Sequence, residues 1–508
     1  MPISTAFPPD STEDTPLLAE QDALSWSLPP VVLFGFLALA LLGTLTTNPL
    51  LTAASIATLP LIILLTWRPG EPPALTFVFL FHWVQTTIKV FYADLLGVHV
   101  SEIGMFRMLN QYADLERAIW LTLAGTVIAA VGARLAIRSL PPPNREALMD
   151  RVRTLSIPRT FWLYLFLSFA VTSLIAIVGF YSGFRQIVEA LRQFKWVLYF
   201  LLVYQGFSRR EGYAYVFAAF SIEFISGIGF FSGFKEVLFV TIIAYFTARS
   251  RIGVGSFVRG LAAAVVVGLI ATVWTVVKPE YRTLIGQKGS QGAVVSQGEQ
   301  IETLVGLVLQ LDGEAVAQGL EPLVDRVSYV DFFGYTLQFV PNVAPHEDGA
   351  LWAAAVKHVM TPRILFPQKP PIVADSEITN RYTGLVVAGI DEGTSFSIGY
   401  MAESYVDFGA VLMFFPIFLS GFVRGWMYRF FVRSGEMTLL GYGFAIALFA
   451  RWYTLEVATG KLLGAVLMQF IVLSLLFRFA GPMIMSWLRT DPDEEEEPVS
   501  LPMQQAWS

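Results

Sequence analysis

The 508-residue chain contains no cysteine, which excludes disulfides, iron–sulfur clusters and cysteine-ligated zinc. It has four histidines (His82, His99, His346 and His358), and none stands in an H-E-x-x-H arrangement. No G-x-x-x-x-G-K-[ST] run is present, so nothing points to a phosphate-binding loop for ATP hydrolysis. Charge is scarce as well, with Asp, Glu, Lys and Arg making up 15% of the chain. A soluble surface of this size needs more charge to stay in water. Much of the formal net charge of −6 sits in two flanks, 10–22 and 491–497, so no nucleic-acid partner is expected. The first residues are acidic and polar, without the basic start of a cleavable signal peptide.

What fills the chain is apolar: 55% of residues are hydrophobic and the mean hydropathy is +0.59. A bilayer core of about 30 Å takes roughly 20 apolar helical residues. Apolar runs occur at 30–46, 50–67, 74–91, 118–137, 161–180, 194–207, 214–231, 237–248, 261–277, 406–422, 439–453 and 462–479. The expected fold is therefore an all-α polytopic integral membrane protein with about 12 transmembrane helices.

Basic residues set the orientation. With Arg134, Arg138, Arg145, Arg151, Arg153 and Arg159 placed in the cytoplasm, alternation puts Arg209/Arg210, Arg249/Arg251/Arg259, Arg424/Arg429/Arg433 and Arg478/Arg489 on the same side. Both termini are then cytoplasmic. The resulting organisation is a disordered acidic N-terminus (1–28), helices 1–9 (29–277), a large helical extracytoplasmic loop (278–402), helices 10–12 (403–482) and an acidic disordered tail (483–508). Gly229-x-x-x-Gly233 and Gly421-x-x-x-Gly425 are candidate close helix contacts, or ordinary membrane glycines.

Within the outer loop, Ile301, Leu304, Val305, Val308 and Leu309 follow helical spacing and predict an amphipathic helix on the membrane face. Further helices are expected over 322–340 and 349–360. Four prolines then force an extended path over 361–371, and the chain re-enters the membrane through 395–407.

Cations stand out in this loop: Lys278, Arg282, Arg326, Lys357, Arg363, Lys369 and Arg381. Guanidinium forks and ammonium groups suit phosphate or carboxylate oxygens. The competing expectation is pairing with Glu280, Asp325, Glu377 and Asp391, or with lipid headgroups. Arg363 and Lys369, held in a proline-rich turn without nearby acids, favour the functional reading. Two shorter outer loops carry Arg185, Glu189, Arg192 and Lys195, and Lys235; Glu189 offers the two arginines an internal partner.

Certain stretches resemble the polytopic polymerases of bacterial O-antigen and exopolysaccharide, the Wzy-like family. They are GFRQIVEALRQFKW from Gly183, GFFSGFKE from Gly229, KPEYR from Lys278, Asp325-Arg326, TPRILFPQKP from Thr361, SFSIG from Ser395 and AESYVDFG from Ala402. Asp407 stands where the family pattern leads one to expect Asn. The resemblance implies a GT-C-like architecture in the bacterial inner membrane. It also implies a substrate, oligosaccharide repeat units on undecaprenyl diphosphate, and as partners membrane lipids, a flippase and a chain-length-regulating copolymerase. No cofactor or metal is expected.

Cleavage of a glycosyl diphosphate needs stabilisation of negative charge, which fixed cations supply. Arg282, Arg326, Arg363, Lys369 and Arg381 are the candidates, with Lys235, Arg185 and Lys195 as further diphosphate or saccharide contacts. Glu403, where the outer loop meets the membrane, is the candidate base, and His358 and His346 are alternatives. Tyr382, Tyr400, Tyr405 and Trp352 are candidate sugar-stacking residues. A ligase would differ only in acceptor. A transporter or flippase would instead use His82, Lys89 and Glu223 as gating residues.

Overall fold

The computed structural model describes residues 28–105, 113–178, 185–228, 234–249, 254–286, 294–361, 366, 368–388, 395–433, 435–450 and 452–490. Among them there is no strand, and an isolated antiparallel bridge joins Leu155 to Arg489. The first part holds helices α1 (Pro30–Gly43), α2 (Pro49–Thr66), α3 (Ala74–Leu96), α4 (Leu115–Ile137), α5 (Arg145–Arg153) and α6 (Ile157–Val178). It continues with α7 (Arg185–Arg192), α8 (Phe194–Arg209), α9 (Tyr213–Ser226), α10 (Phe234–Thr247) and α11 (Val254–Ile285). The middle of the chain forms α12 (Gln297–Leu309), α13 (Gly313–Gln318), α14 (Leu320–Val327), α15 (Asp331–Phe339), α16 (Ala350–Met360) and α17 (Asp375–Thr383). The last part is α18 (Gly399–Leu412), α19 (Phe414–Val432), α20 (Thr438–Phe449), α21 (Thr459–Phe479) and α22 (Gly481–Leu488).

This is an α-helical membrane protein. Among the described residues, six helices are long and apolar enough to cross a bilayer: α2, α3, α4, α21, the stretch Ile157–Leu174 of α6 and the stretch Val258–Ile285 of α11. Their outward faces are apolar too, with Trp162, Phe166 and Phe169 on α6 and Val258, Val265 and Leu269 on α11 exposed. A water-soluble fold does not leave such a surface uncovered.

The expected span 406–422 takes a different form. Gly409 adopts φ +68° and ψ −176°, which breaks the helix, and α18 meets α19 at 118°. The pair counts as a seventh span only if a bent crossing is one pass. Arg424, expected in a cytoplasmic loop, lies inside α19 instead. It is 4% exposed, its guanidinium sits 5.3 Å from the Tyr400 ring, and it donates to Ser420 Oγ at 3.1 Å.

α8 and α20 are shorter and buried nearly all round, as expected of helices that are hydrophobic on every face. α4 and α19 approach most closely. A Cβ on Gly421 would fall 2.0 Å from the Ala129 carbonyl oxygen, and one on Gly425 would fall 2.5 Å from that of Ala133. The second small-residue motif is thus a real close contact; the first, Gly229 and Gly233, lies outside the described residues.

In the middle segment, α11 runs through Lys278 and Arg282 to Ile285, past its expected end at Val277. α12 starts with a capping box between Ser296 and Glu299. Its Leu307 joins Trp274, Val277, Tyr281 and Ile285 of α11 in a small separate core. Val305, Val308 and Leu309 of the predicted stripe remain exposed.

The single helix expected over 322–340 is two, α14 and α15. The break falls at Tyr329, whose N–H donates to the Gln85 carbonyl (3.2 Å) and whose hydroxyl donates to the Ser397 carbonyl. Tertiary hydrogen bonds replace helical ones at this point. α15 is not peripheral: Asp331, Phe332, Phe333, Tyr335 and Leu337 are buried in the main core. α16 matches the expected third helix, and Gly349 before it adopts φ +90°.

Candidate functional site

A cavity of about 1260 Å³ opens where the middle segment meets the helical bundle. Lys235 at the start of α10, Lys278 on α11 and Arg326 on α14 converge on one part of its wall. Lys278 interacts electrostatically with Arg326, Arg282 and Lys235, so four like charges share a small region. Among the described residues, none of Lys235, Lys278 and Arg326 forms an ion pair with a carboxylate. Like charges this close repel one another, and an anionic ligand relieves the repulsion.

Two further lysines of the wall are engaged internally. Lys461, in the first turn of α21, pairs with Asp375 at the head of α17, and Asp375 also accepts from Ser395 Oγ at 3.1 Å. Lys369 donates to the carbonyl of His358, holding the proline-rich turn against the end of α16.

Glu456 lies on the connection between α20 and α21, exposed to the cavity. Although its surface opens to the cavity, the protein packed around it strips away enough water to push its carboxyl above the usual carboxylate range, while Lys235 and Arg326 pull the other way. The surrounding protein lowers the Arg326 guanidinium, and Glu456 opposes that shift.

The cavity also has an apolar side. It follows α21 along Gly460, Gly464, Ala465, Met468 and Ile471, a stretch of about 16 Å of helix. Gly464 leaves a shallow wall there, and Leu467 and Ile471 are exposed at its edge.

Of the residues expected at the site, Lys235, Arg326, His358 and Lys369 line this cavity, and Arg282 belongs to the same charge cluster. Arg363 lies outside the described residues, as does the side chain of Arg185. The structure does not bring the others to the wall. Arg381 pairs with Glu377 at 3.2 Å, both largely exposed. Lys195 pairs with Glu223 at 2.5 Å and sits 4.6 Å from the Trp196 ring centroid. Tyr405 is buried and donates to the Val340 carbonyl at 3.0 Å.

Glu403 is 3% exposed and accepts a 2.7 Å hydrogen bond from the N–H of Thr459, at the first residue of α21. It sits behind the wall rather than in it. Of the aromatics named from the sequence, Tyr382 donates to Glu347 at 2.7 Å and Trp352 to Ser404 Oγ at 3.1 Å. His346 stacks edge-on against Tyr405. The rings that do line the cavity are Tyr329, Phe332, Phe396, Trp452 and Tyr453.

The three intramembrane polar residues that a transporter would need are also placed. Lys89 pairs with Asp331 at 2.5 Å and Asp325 at 2.8 Å. Glu223 holds Lys195 and the Tyr164 hydroxyl at 2.8 Å. His82 is fully buried beside Phe79 and Tyr400.

Sequence reasoning did not single out Glu456, Lys461, Asp375 or Trp452. The usable signal was the short connection 454–461. The basic-residue alternation expects it on the same side as the large loop, and it carries one acid and one base in an otherwise uncharged stretch.

A family model described as Domain of unknown function (DUF8712) matches residues 146–478. The chain belongs to that family. Every residue of the cavity wall except Met105 falls inside the matched stretch. No curated protein and no solved structure matches the chain. Membership in the DUF8712 family therefore brings no activity with it, and the chemistry has to be argued from the cavity.

Proposed function

We propose that this chain is a membrane-embedded glycosyltransferase that polymerises oligosaccharide repeat units carried on undecaprenyl diphosphate. In this reading it has twelve passes in a bacterial inner membrane, with both termini cytoplasmic and the cavity on the outer face. The five passes beyond the bent pair and the six long helices are the shorter α1, α8, α9, α10 and α20. The observation that carries the reading is the shape of one cavity. Lys235, Lys278 and Arg326 share its wall with an apolar strip of α21, a helix long and apolar enough to span the membrane. An amphiphile with a multiply charged anionic head and a long hydrocarbon tail satisfies both at once.

The chemistry follows from the charges. A glycosyl diphosphate already carries a good leaving group, so the barrier falls mainly by stabilising the negative charge that grows on the departing phosphate. Preorganised cations in a partly enclosed site do this without reorganising at the moment of reaction. Arg326 can offer two parallel N–H donors to phosphate oxygens, and Lys278 and Lys235 add point charges. Trp452, partly open on the same wall, supplies a flat apolar face for a sugar ring, whereas Tyr453 is buried among Phe77, Phe81 and Phe239.

Arg326→Ala and Lys278→Ala, made in cells whose surface glycan depends on this chain, test the proposal. The expected result is single repeat units on their final carrier in place of long chains, with protein abundance unchanged. Long chains of normal length at normal abundance would contradict it.

A further inference from the structure

We propose that Glu456 is the group that takes the proton from the acceptor hydroxyl in the cavity; this rests on the glycosyl-transfer reading above. The assignment comes from position. Glu456 presents its carboxylate to the cavity from the α20–α21 connection, on the same wall as Trp452 and Tyr453. Two other carboxylates of the wall differ from it. Asp325 is paired with Lys89, and Asp375 is held by Lys461 and Ser395. Glu236 also lines the wall, in the first turn of α10 beside Lys235. Glu403 is committed to the Thr459 N–H and does not line the cavity.

Glu456 interacts electrostatically with Lys235 and Arg326, the cations proposed to hold the diphosphate. Base and leaving-group site are thereby neighbours, as a one-step displacement needs. The acceptor oxygen bonds to the anomeric carbon while the bond from that carbon to the phosphate oxygen breaks. The electron pair leaves on the lipid diphosphate, and the hydroxyl proton passes to Glu456, which later releases it to water. The ionisable groups facing Glu456 are Lys235 from α10, Arg326 from α14, Tyr329 after α14, and Tyr453 of its own connection.

The test uses the full chain in nanodiscs and in cells, with undecaprenyl diphosphate as the binding probe. Glu456→Gln should bind the probe at least as tightly as the wild type, since a negative charge beside the diphosphate is gone. It should extend glycan chains about 100-fold more slowly or worse, the scale of a lost general base. Glu456→Asp, which keeps a carboxylate, should restore part of the rate, with its acid limb moved along the pH axis. It serves as the second variant if the glutamine form is poorly produced. Chain extension by Glu456→Gln within tenfold of wild type, with binding intact, would overturn the assignment and leave the polymerase reading standing. Failure of the wild-type chain to bind the probe would overturn both.

Discussion

The carboxylate of Asp407 accepts a 2.8 Å hydrogen bond from the backbone N–H of Trp352, and its other oxygen takes the N–H of Leu351 at 3.0 Å. Both donors belong to the first turn of α16, so Asp407 acts as a remote cap on that helix and sets its negative charge against the helix N-terminus. α16 in turn carries His358 to the cavity. An amide offers one acceptor oxygen where the carboxylate offers two. Asp407→Asn is therefore expected to lower stability by about 1 kcal/mol, and Asp407→Ala by about 2 kcal/mol, as read from thermal unfolding in detergent. Unchanged unfolding of both variants would show that the cap contributes nothing.

Glu403 plays the same part for α21. Its bond to the Thr459 N–H fixes the first turn of the helix, the turn that presents Lys461. Glu403→Gln, which keeps an acceptor oxygen, should retain glycan extension within about tenfold, whereas Glu403→Ala should cost about 1.5–3 kcal/mol of stability. A glutamine variant that folds normally yet loses extension altogether would return Glu403 to the role of base.

Lys89 and Asp331 form a buried pair, each about 1% exposed, tying α3 to α15. Removing one partner leaves a buried charge unanswered. Because Lys89 also reaches the partly exposed Asp325, the stranded charge is that of Asp331: Lys89→Met should cost about 3–5 kcal/mol, and the double change Lys89→Met with Asp331→Leu much less. Equal losses in the single and double variants would contradict this account. The same pair explains why Lys89 is a poor gating residue, since its charge is already satisfied within the protein.

The membrane class and six of the expected spans were legible because hydrophobic length is a local property, and among the described residues six helices of sufficient length lie where apolar runs do. The break at Gly409 was not, because a single left-handed glycine leaves hydropathy unchanged. The division of 322–340 depends on Tyr329 reaching Gln85 and Ser397, contacts far away in sequence. At the site, Arg326 and Lys369, both named from the sequence, reach the cavity. Arg381 instead pairs with Glu377, the local acid that the sequence offered it, while the fold brings Glu223 to Lys195 from a different helix. Asp407 and Glu403 bracket a short motif whose carboxylates cap two helices, and sequence spacing cannot reveal that.

Acidity should act on the cavity in a predictable direction. Because burial raises the Glu456 carboxyl, the group gains its proton at a higher pH than a free glutamate, and the cavity becomes more positive as pH falls. Binding of undecaprenyl diphosphate should tighten on acidification through that range, relative to Glu456→Gln, which shares the titration of the phosphate but not of the carboxylate. Chain extension should change in the opposite sense, falling as the base is protonated. The raised value also means that Glu456 favours the folded state most at low pH and loses that contribution as pH rises. Identical pH dependence of binding in wild type and Glu456→Gln would contradict this reading.

The most direct measurement is the affinity of the purified chain in nanodiscs for undecaprenyl diphosphate, compared between wild type and Arg326→Ala over a range of salt concentrations. The cation-lined cavity predicts a loss of at least about tenfold in the variant and a wild-type affinity that weakens as salt screens the cluster. Equal affinity of the two proteins, insensitive to salt, would contradict it.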